Sequence, residues 1–188
     1  MYYENHDVIL KDGSKIAFHS VRADEAATAL RCLNKLLAAE GKSTDLSEED
    51  EKRYLEKVLD DEGSALLGVY KDGDLLGFAR LKNAKEMYAK DRDCCNIGIT
   101  LDESIKSEEV CGRAVEALID VIQRIGYQQI EVDVKDMEED RIHMYREYGF
   151  EKQEDKMVKQ FDVKFQYDEK ATTDLEEWIE EQGIQLRY

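Results

Sequence analysis

Apolar residues recur along this chain in two rhythms, every second residue or every third to fourth, and each change of rhythm marks a new element. Val8 to Leu10, then Asp12-Gly13, then Ile16, Phe18 and Val21 predict a strand or a small hairpin turning on Asp-Gly. Asp24 is placed to cap a helix over residues 25–40, where Ala26, Leu30, Leu33 and Leu37 share one face and Gly41 closes the run. Ser47 with Asp50 has the spacing of a capping box, and Tyr54, Leu55, Val58 and Leu59 supply the apolar side of a second helix. Two apolar runs, 65–70 and 75–81, flank Lys71-Asp72-Gly73-Asp74 and predict an antiparallel hairpin. After a polar loop over residues 86–93, Ile97, Ile99 and Leu101 alternate as a strand. A long amphipathic helix follows, burying Val110, Ala114, Leu118, Val121, Ile122 and Ile125 and stopping at Gly126.

The next stretch is the most telling. Ile130, Val132 and Val134 alternate with Glu131 and Asp133, as in a strand with one buried face. Ile142, Tyr145 and Tyr148 then recur at helical spacing, and Gly149 sits where a left-handed residue ends a helix. Taken alone, Tyr145 and Tyr148 read as core aromatics with their hydroxyls at the surface. The last strands fall around Phe150 and over residues 157–165.

This segment resembles the ending of the GNAT superfamily of acetyl-CoA-dependent N-acetyltransferases: a strand, then Asn, Ala, an apolar residue, Tyr and Gly-Phe. The chain keeps Ile142, Met144, Tyr145, Gly149 and Phe150, with Glu138 where the family usually has Asn and Arg141 where it usually has Ala. The whole order of elements, from about Val8 to Phe161, is also the GNAT order. The resemblance implies an α+β fold, an α/β/α sandwich with a mixed, mostly antiparallel central sheet flanked by helices. Residues 1–161 form that domain in this reading. Residues 162–188 add a strand, VKFQY, and a capped acidic helix over 173–182, packed on the same domain through Leu175, Trp178 and Ile179.

Composition narrows the partners. Hydrophobic residues make up 42% and charged residues 38%, the balance of a soluble globular chain. A formal net charge of -17 argues against nucleic acid or an anionic membrane and attracts cations, although an acidic surface also serves solubility alone. Cys32, Cys94, Cys95 and Cys111 lack paired metal spacing and read as reduced thiols of a cytoplasmic protein. His6, His19 and His143 are scattered, so no metal is expected. No run approaches the roughly 20 apolar residues that span a bilayer.

Acetyl transfer from a thioester to an amine requires amides to hold the diphosphate, a base for the ammonium and an acid for the departing thiolate. The resemblance implies acetyl-CoA as co-substrate, with Ile99, Thr100 and Leu101 pairing with its pantetheine arm. It puts Lys106, Ser107, Glu108, Glu109, Val110 and Cys111 on the family's glycine-rich diphosphate turn, with Gly112 one residue on, and counts Glu138, at the family's usual Asn position, among the cofactor-binding residues. Ser107, Glu108 and Glu109 read equally as an ordinary helix start, a capping Ser followed by acids that suit the macrodipole. Tyr145 takes the role of general acid by the resemblance, and Glu86, Asp93 and Asp133 are candidate bases. Cys111 reads as a structural thiol. The early helices would face the acceptor, a primary amine of a small molecule or protein. The competing readings are a non-catalytic GNAT-like module that binds a ligand or partner, and a protein that dimerises through the Trp178 helix, which leaves monomer or homodimer open.

Overall fold

A computed structural model describes residues 2–3, 6–135 and 137–161. Eight strands form one sheet in the order β1-β2-β3-β4-β5-β6-β8-β7. In chain order they are β1 (His6–Ile9), β2 (Lys15–Ser20), β3 (Ala65–Lys71), β4 (Asp74–Asn83), β5 (Cys94–Leu101), β6 (Gln129–Asp133), β7 (Glu151–Gln153) and β8 (Lys156–Gln160). Neighbours are antiparallel throughout except β5 and β6, which run parallel. The helices are α1 (Ala26–Ala39), α2 (Glu48–Asp60), α3 (Glu108–Ile125) and α4 (Glu139–Glu147).

The local signals explain most boundaries. The β3–β4 turn places both Asp72 and Gly73 at positive φ, +53° and +89°, the conformation whose twist matches a two-residue hairpin. Ser47 accepts from the Asp50 amide while the Asp50 carboxylate accepts from the Ser47 amide at 3.1 Å, so the expected capping box opens α2. Gly126 ends α3 at φ +91°. Asp24 behaves differently from the expectation. It lies inside a short 3-10 turn, Ala23–Glu25, and the reaching carboxylate is that of Glu25, which accepts from the Arg22 amide at 2.9 Å. Val134 falls just past β6, and the expected 157–165 strand is described only as far as Gln160; the VKFQY strand and the Trp178 helix lie outside the described residues.

Period-two alternation sorts the strand residues onto two faces. Ala65, Leu67 and Val69 of β3, with Ala79, Leu81, Ile97 and Ile99, meet α3 and α4. Leu66, Tyr70 and Leu75 meet α1 and α2 on the opposite face. Ala114, Val115, Leu118, Val121 and Ile122 of α3 are fully buried, and each large side chain so buried contributes about 2 kcal/mol. Among the described residues no helix is long and apolar enough to cross a membrane.

Candidate active site

β5 and β6 pair only through Cys94↔Gln129, Cys95↔Ile130 and Asn96↔Glu131. Beyond Asn96, β5 stays registered with β4 as far as Leu101, and β6 stays registered with β8 as far as Asp133. The two parallel strands therefore part, and the sheet opens along the last five residues of β5. Arg141 of α4 reaches into this opening: its Nη2 donates to the Ile99 carbonyl at 3.3 Å. Its Nε is buried without a hydrogen-bond partner among the described residues.

Three cavities run from this opening. The outer one, about 280 Å³, lies between the starts of α3 and α4 and is lined by Ser107, Glu108, Glu138 and Asp140. The central one, about 430 Å³, runs along Ile99, Thr100, Leu101 and Asp102. Lys106, Cys111 and Arg141 line both. A third, about 520 Å³, lies on the α1/α2 face and shares Leu36, Glu40 and Thr100 with the central one. Shared walls set the three cavities side by side.

The structure gathers many of the expected residues along these cavities, whereas Tyr145 lines none of the three. Ser107 caps α3 by accepting from the Val110 amide at 3.2 Å, and the first-turn amides of any helix lack intrahelical acceptors. Lys106 pairs with Glu103 at 2.9 Å and stays on the rim. Val110 is core, 2% exposed. Cys111 is buried, and burial raises its thiol, as expected of a structural cysteine; all four cysteines are free. Tyr145 is only 1% exposed, its ring edge-on to Phe150 at 5.2 Å. Burial pushes its hydroxyl up to about 12, with the Arg141 charge opposing. Tyr148 points its hydroxyl at Glu116, 3.3 Å away.

Several others go elsewhere. Glu109 turns away to accept from the Lys11 amide at 3.0 Å. Gly112 serves helix packing, since a Cβ there would lie 2.5 Å from the Tyr148 hydroxyl. Glu138 opens α4 with no side-chain capping bond and faces the outer cavity. Glu86 and Asp93 lie before β5, at the end where the sheet is closed; seven extended residues separate Asp93 from Thr100, about 23 Å. Asp93 sits near Lys85 at 3.5 Å, and Asp133 accepts from the Lys135 amide at 3.1 Å. None of these three carboxylates lines a cavity described above. At the outer rim, Glu108, His143 and Glu147 bring ligand atoms within 4.8 Å of one another, a grouping that the scattered histidines did not announce; all three are exposed.

Two contributors escaped the sequence reading. Arg141 appeared there only as a departure from Ala. Asp102, just past β5, pairs with Lys35 of α1 at 2.6 Å and accepts from the Ser104 amide at 3.0 Å. The Lys35 ammonium and the Ser104 donors hold its carboxyl down to about 2. Because the folded value lies below the ordinary one, this stabilisation is present above about pH 4 and is lost as pH falls toward 2. Denaturant unfolding of Asp102→Asn against the parent should show a gap that closes across that window, and a gap constant with pH would remove the ion pair as its cause.

The sequence identifies the family to which this opened parallel strand pair belongs. The model of the acetyltransferase (GNAT) family matches residues 30–150, so the chain belongs to that family. A search of curated proteins found no match. Among solved structures, an acetyltransferase of the GNAT family from Streptococcus pneumoniae superposes with a TM-score of 0.69 at 16% identity, covering 78% of this chain and 99% of that one. The putative acetyltransferase yncA from Salmonella typhimurium, solved with its cofactor acetyl-CoA, gives 0.65 at 13% identity, covering 82% and 98%. The aminoglycoside acetyltransferase AAC(6')-Ib in complex with coenzyme A gives 0.59 at 19% identity, covering 77% and 94%. These likenesses establish the fold, a mixed sheet of the GNAT type.

Proposed function

We propose that this chain is an N-acetyltransferase that moves an acetyl group from acetyl-CoA to a primary amine. The observation that carries the reading is the parting of β5 and β6, with Arg141, one helical turn before Tyr145 on α4, donating to the Ile99 carbonyl in the gap. The residues present suit the co-substrate. The open edge of β5 offers main-chain groups to an extended amide-bearing arm, and the start of α3 offers first-turn amides to phosphate. Lys106 and Arg141 add positive charge to the outer cavity, and Arg141 Nε is a buried donor awaiting an acceptor.

Acetyl-CoA supplies the activated acyl group. The neutral amine forms the new C–N bond, the C–S bond breaks with its electron pair going to sulfur, and Tyr145 holds a proton at its hydroxyl for that sulfur. The proton shed by the amine restores the tyrosine through solvent. The Asp102–Lys35 pair ties α1 to the end of β5 and so fixes the wall between the acyl and acceptor sides.

One observation favours a non-catalytic module: Glu108, Glu138 and Asp140 all line the outer cavity and oppose a diphosphate there. Calorimetry with coenzyme A and acetyl-CoA separates the two readings, since absence of heat at millimolar ligand would sink the enzyme. Arg141→Ala is expected to weaken coenzyme A binding roughly tenfold, the loss of one charge-assisted contact. Tighter binding by the variant would show instead that the arginine merely obstructs the opening.

A further inference from the structure

Glu51 is one of four consecutive acids at the start of α2, and it alone turns inward, 4% exposed. Its backbone amide continues the helix by donating to the Ser47 carbonyl at 3.0 Å, but its carboxylate has no partner among the described residues. Burial alone raises its carboxyl above the ordinary value. The neighbouring acids are engaged already, Asp50 with Ser47 and Arg53, and Glu40 with Lys42. Arg80 reaches the same cavity from β4 without forming an ion pair with Glu51.

The cavity that Glu51 lines is mainly hydrocarbon, with Leu33, Leu36, Leu37, Leu66 and Phe78 in its wall and Glu40, Asp50, Arg80 and Thr100 as its other polar groups. Its floor is open because Gly98 stands there, where an added Cβ would meet nothing within 4 Å. The carboxylate faces the cavity with no donor from the described residues, and a cationic ligand there would supply one. Glu51 lines only this third cavity, whereas Thr100 and Leu36 line both it and the central one. A molecule lying across Thr100 would therefore present one end to the acyl side and keep its other end at Glu51, with apolar spacer between.

We propose that the acceptor is an aliphatic diamine, held by Glu51 at the ammonium that does not react. This rests on the acetyltransferase reading above and names its substrate class. The formal charge of -17 adds long-range attraction for such a dication. The reacting nitrogen forms the N–acetyl bond as already described, while the far ammonium keeps its proton and stays paired with Glu51.

The test compares 1,5-diaminopentane with 1-aminopentane as acceptors, alongside calorimetry of each amine into protein saturated with coenzyme A. The expected result is a kcat/KM preference for the diamine of roughly tenfold or more, the scale of a hydrogen bond to a buried charge. Glu51→Gln should abolish that preference while leaving coenzyme A binding intact and not lowering the thermal midpoint, because the carboxylate makes no hydrogen bond or ion pair among the described residues that the substitution would break. Equal rates or equal heats for the two amines, or a diamine preference that survives Glu51→Gln, would overturn the proposal with the acetyltransferase reading intact. Absence of coenzyme A binding by the parent protein would instead overturn both.

Discussion

Tyr145→Phe is expected to lower kcat by about two orders of magnitude while leaving the affinity for coenzyme A unchanged. The substitution deletes one oxygen and keeps the ring, so the edge-on packing against Phe150 survives and the thermal midpoint should move little. What disappears is the hydroxyl proton that the proposed mechanism assigns to the departing thiolate. The tyrosine is suited to that task because burial raises its hydroxyl to about 12, which keeps it protonated through the whole physiological range. The same shift fixes the sign of a pH effect: loss of the acid through Tyr145 ionisation begins only on the far alkaline side, so this group imposes no fall in kcat between pH 7 and 10. Stopped-time assays with a saturating amine read both quantities. A rate equal to the parent's would assign protonation of the thiolate to solvent.

The second large effect is structural. A methyl group at Gly77 would lie 2.7 Å from the Thr100 carbonyl oxygen and 3.1 Å from the Leu101 Cα. Gly77 pairs with Leu101 across β4 and β5, so the clash is with main chain that cannot rotate away. Gly77→Ala should cost about 2–3 kcal/mol and lower the thermal midpoint by roughly 5–10 °C. Because the displaced atoms are those of Thr100 and Leu101, the variant should lose turnover at temperatures where it is still folded. A midpoint matching the parent's would mean that the two strands have slack at this position.

Features settled by residues close in sequence were legible in advance. The Ser47–Asp50 box, the turn at Asp72-Gly73 and the stop at Gly126 each depend on groups within a few positions, and each formed as its pattern implied. The family signature around Tyr145 and Gly149-Phe150 likewise carried the fold, because strand, helix and turn there follow one another directly. Features settled across the sheet were not legible. Glu86 and Asp93 are close to β5 in sequence, yet they stand at its closed end, and only the parting of β5 from β6 says which end matters. Glu109 and Gly112 sit in the right turn but answer to Lys11 and Tyr148, from distant parts of the chain. Arg141 read as a mismatch until Ile99 was brought to it. For Glu51 a signal did exist: with Tyr54, Leu55 and Val58 it falls at i, i+3, i+4 and i+7, on the apolar face of α2. Its place in a run of four acids concealed it.

The open edge of β5 presents carbonyls and amides, groups that no substitution other than proline alters. A docking rail made of them persists when the side chains around it are replaced nearly wholesale, which fits an architecture shared at 13–19% identity. Descent can then leave the rail alone and write each lineage's individuality beside it. On the proposals above, Arg141 would bear on the shared arm and Glu51 on the guest opposite, so two side chains separated by the sheet would divide inheritance from invention.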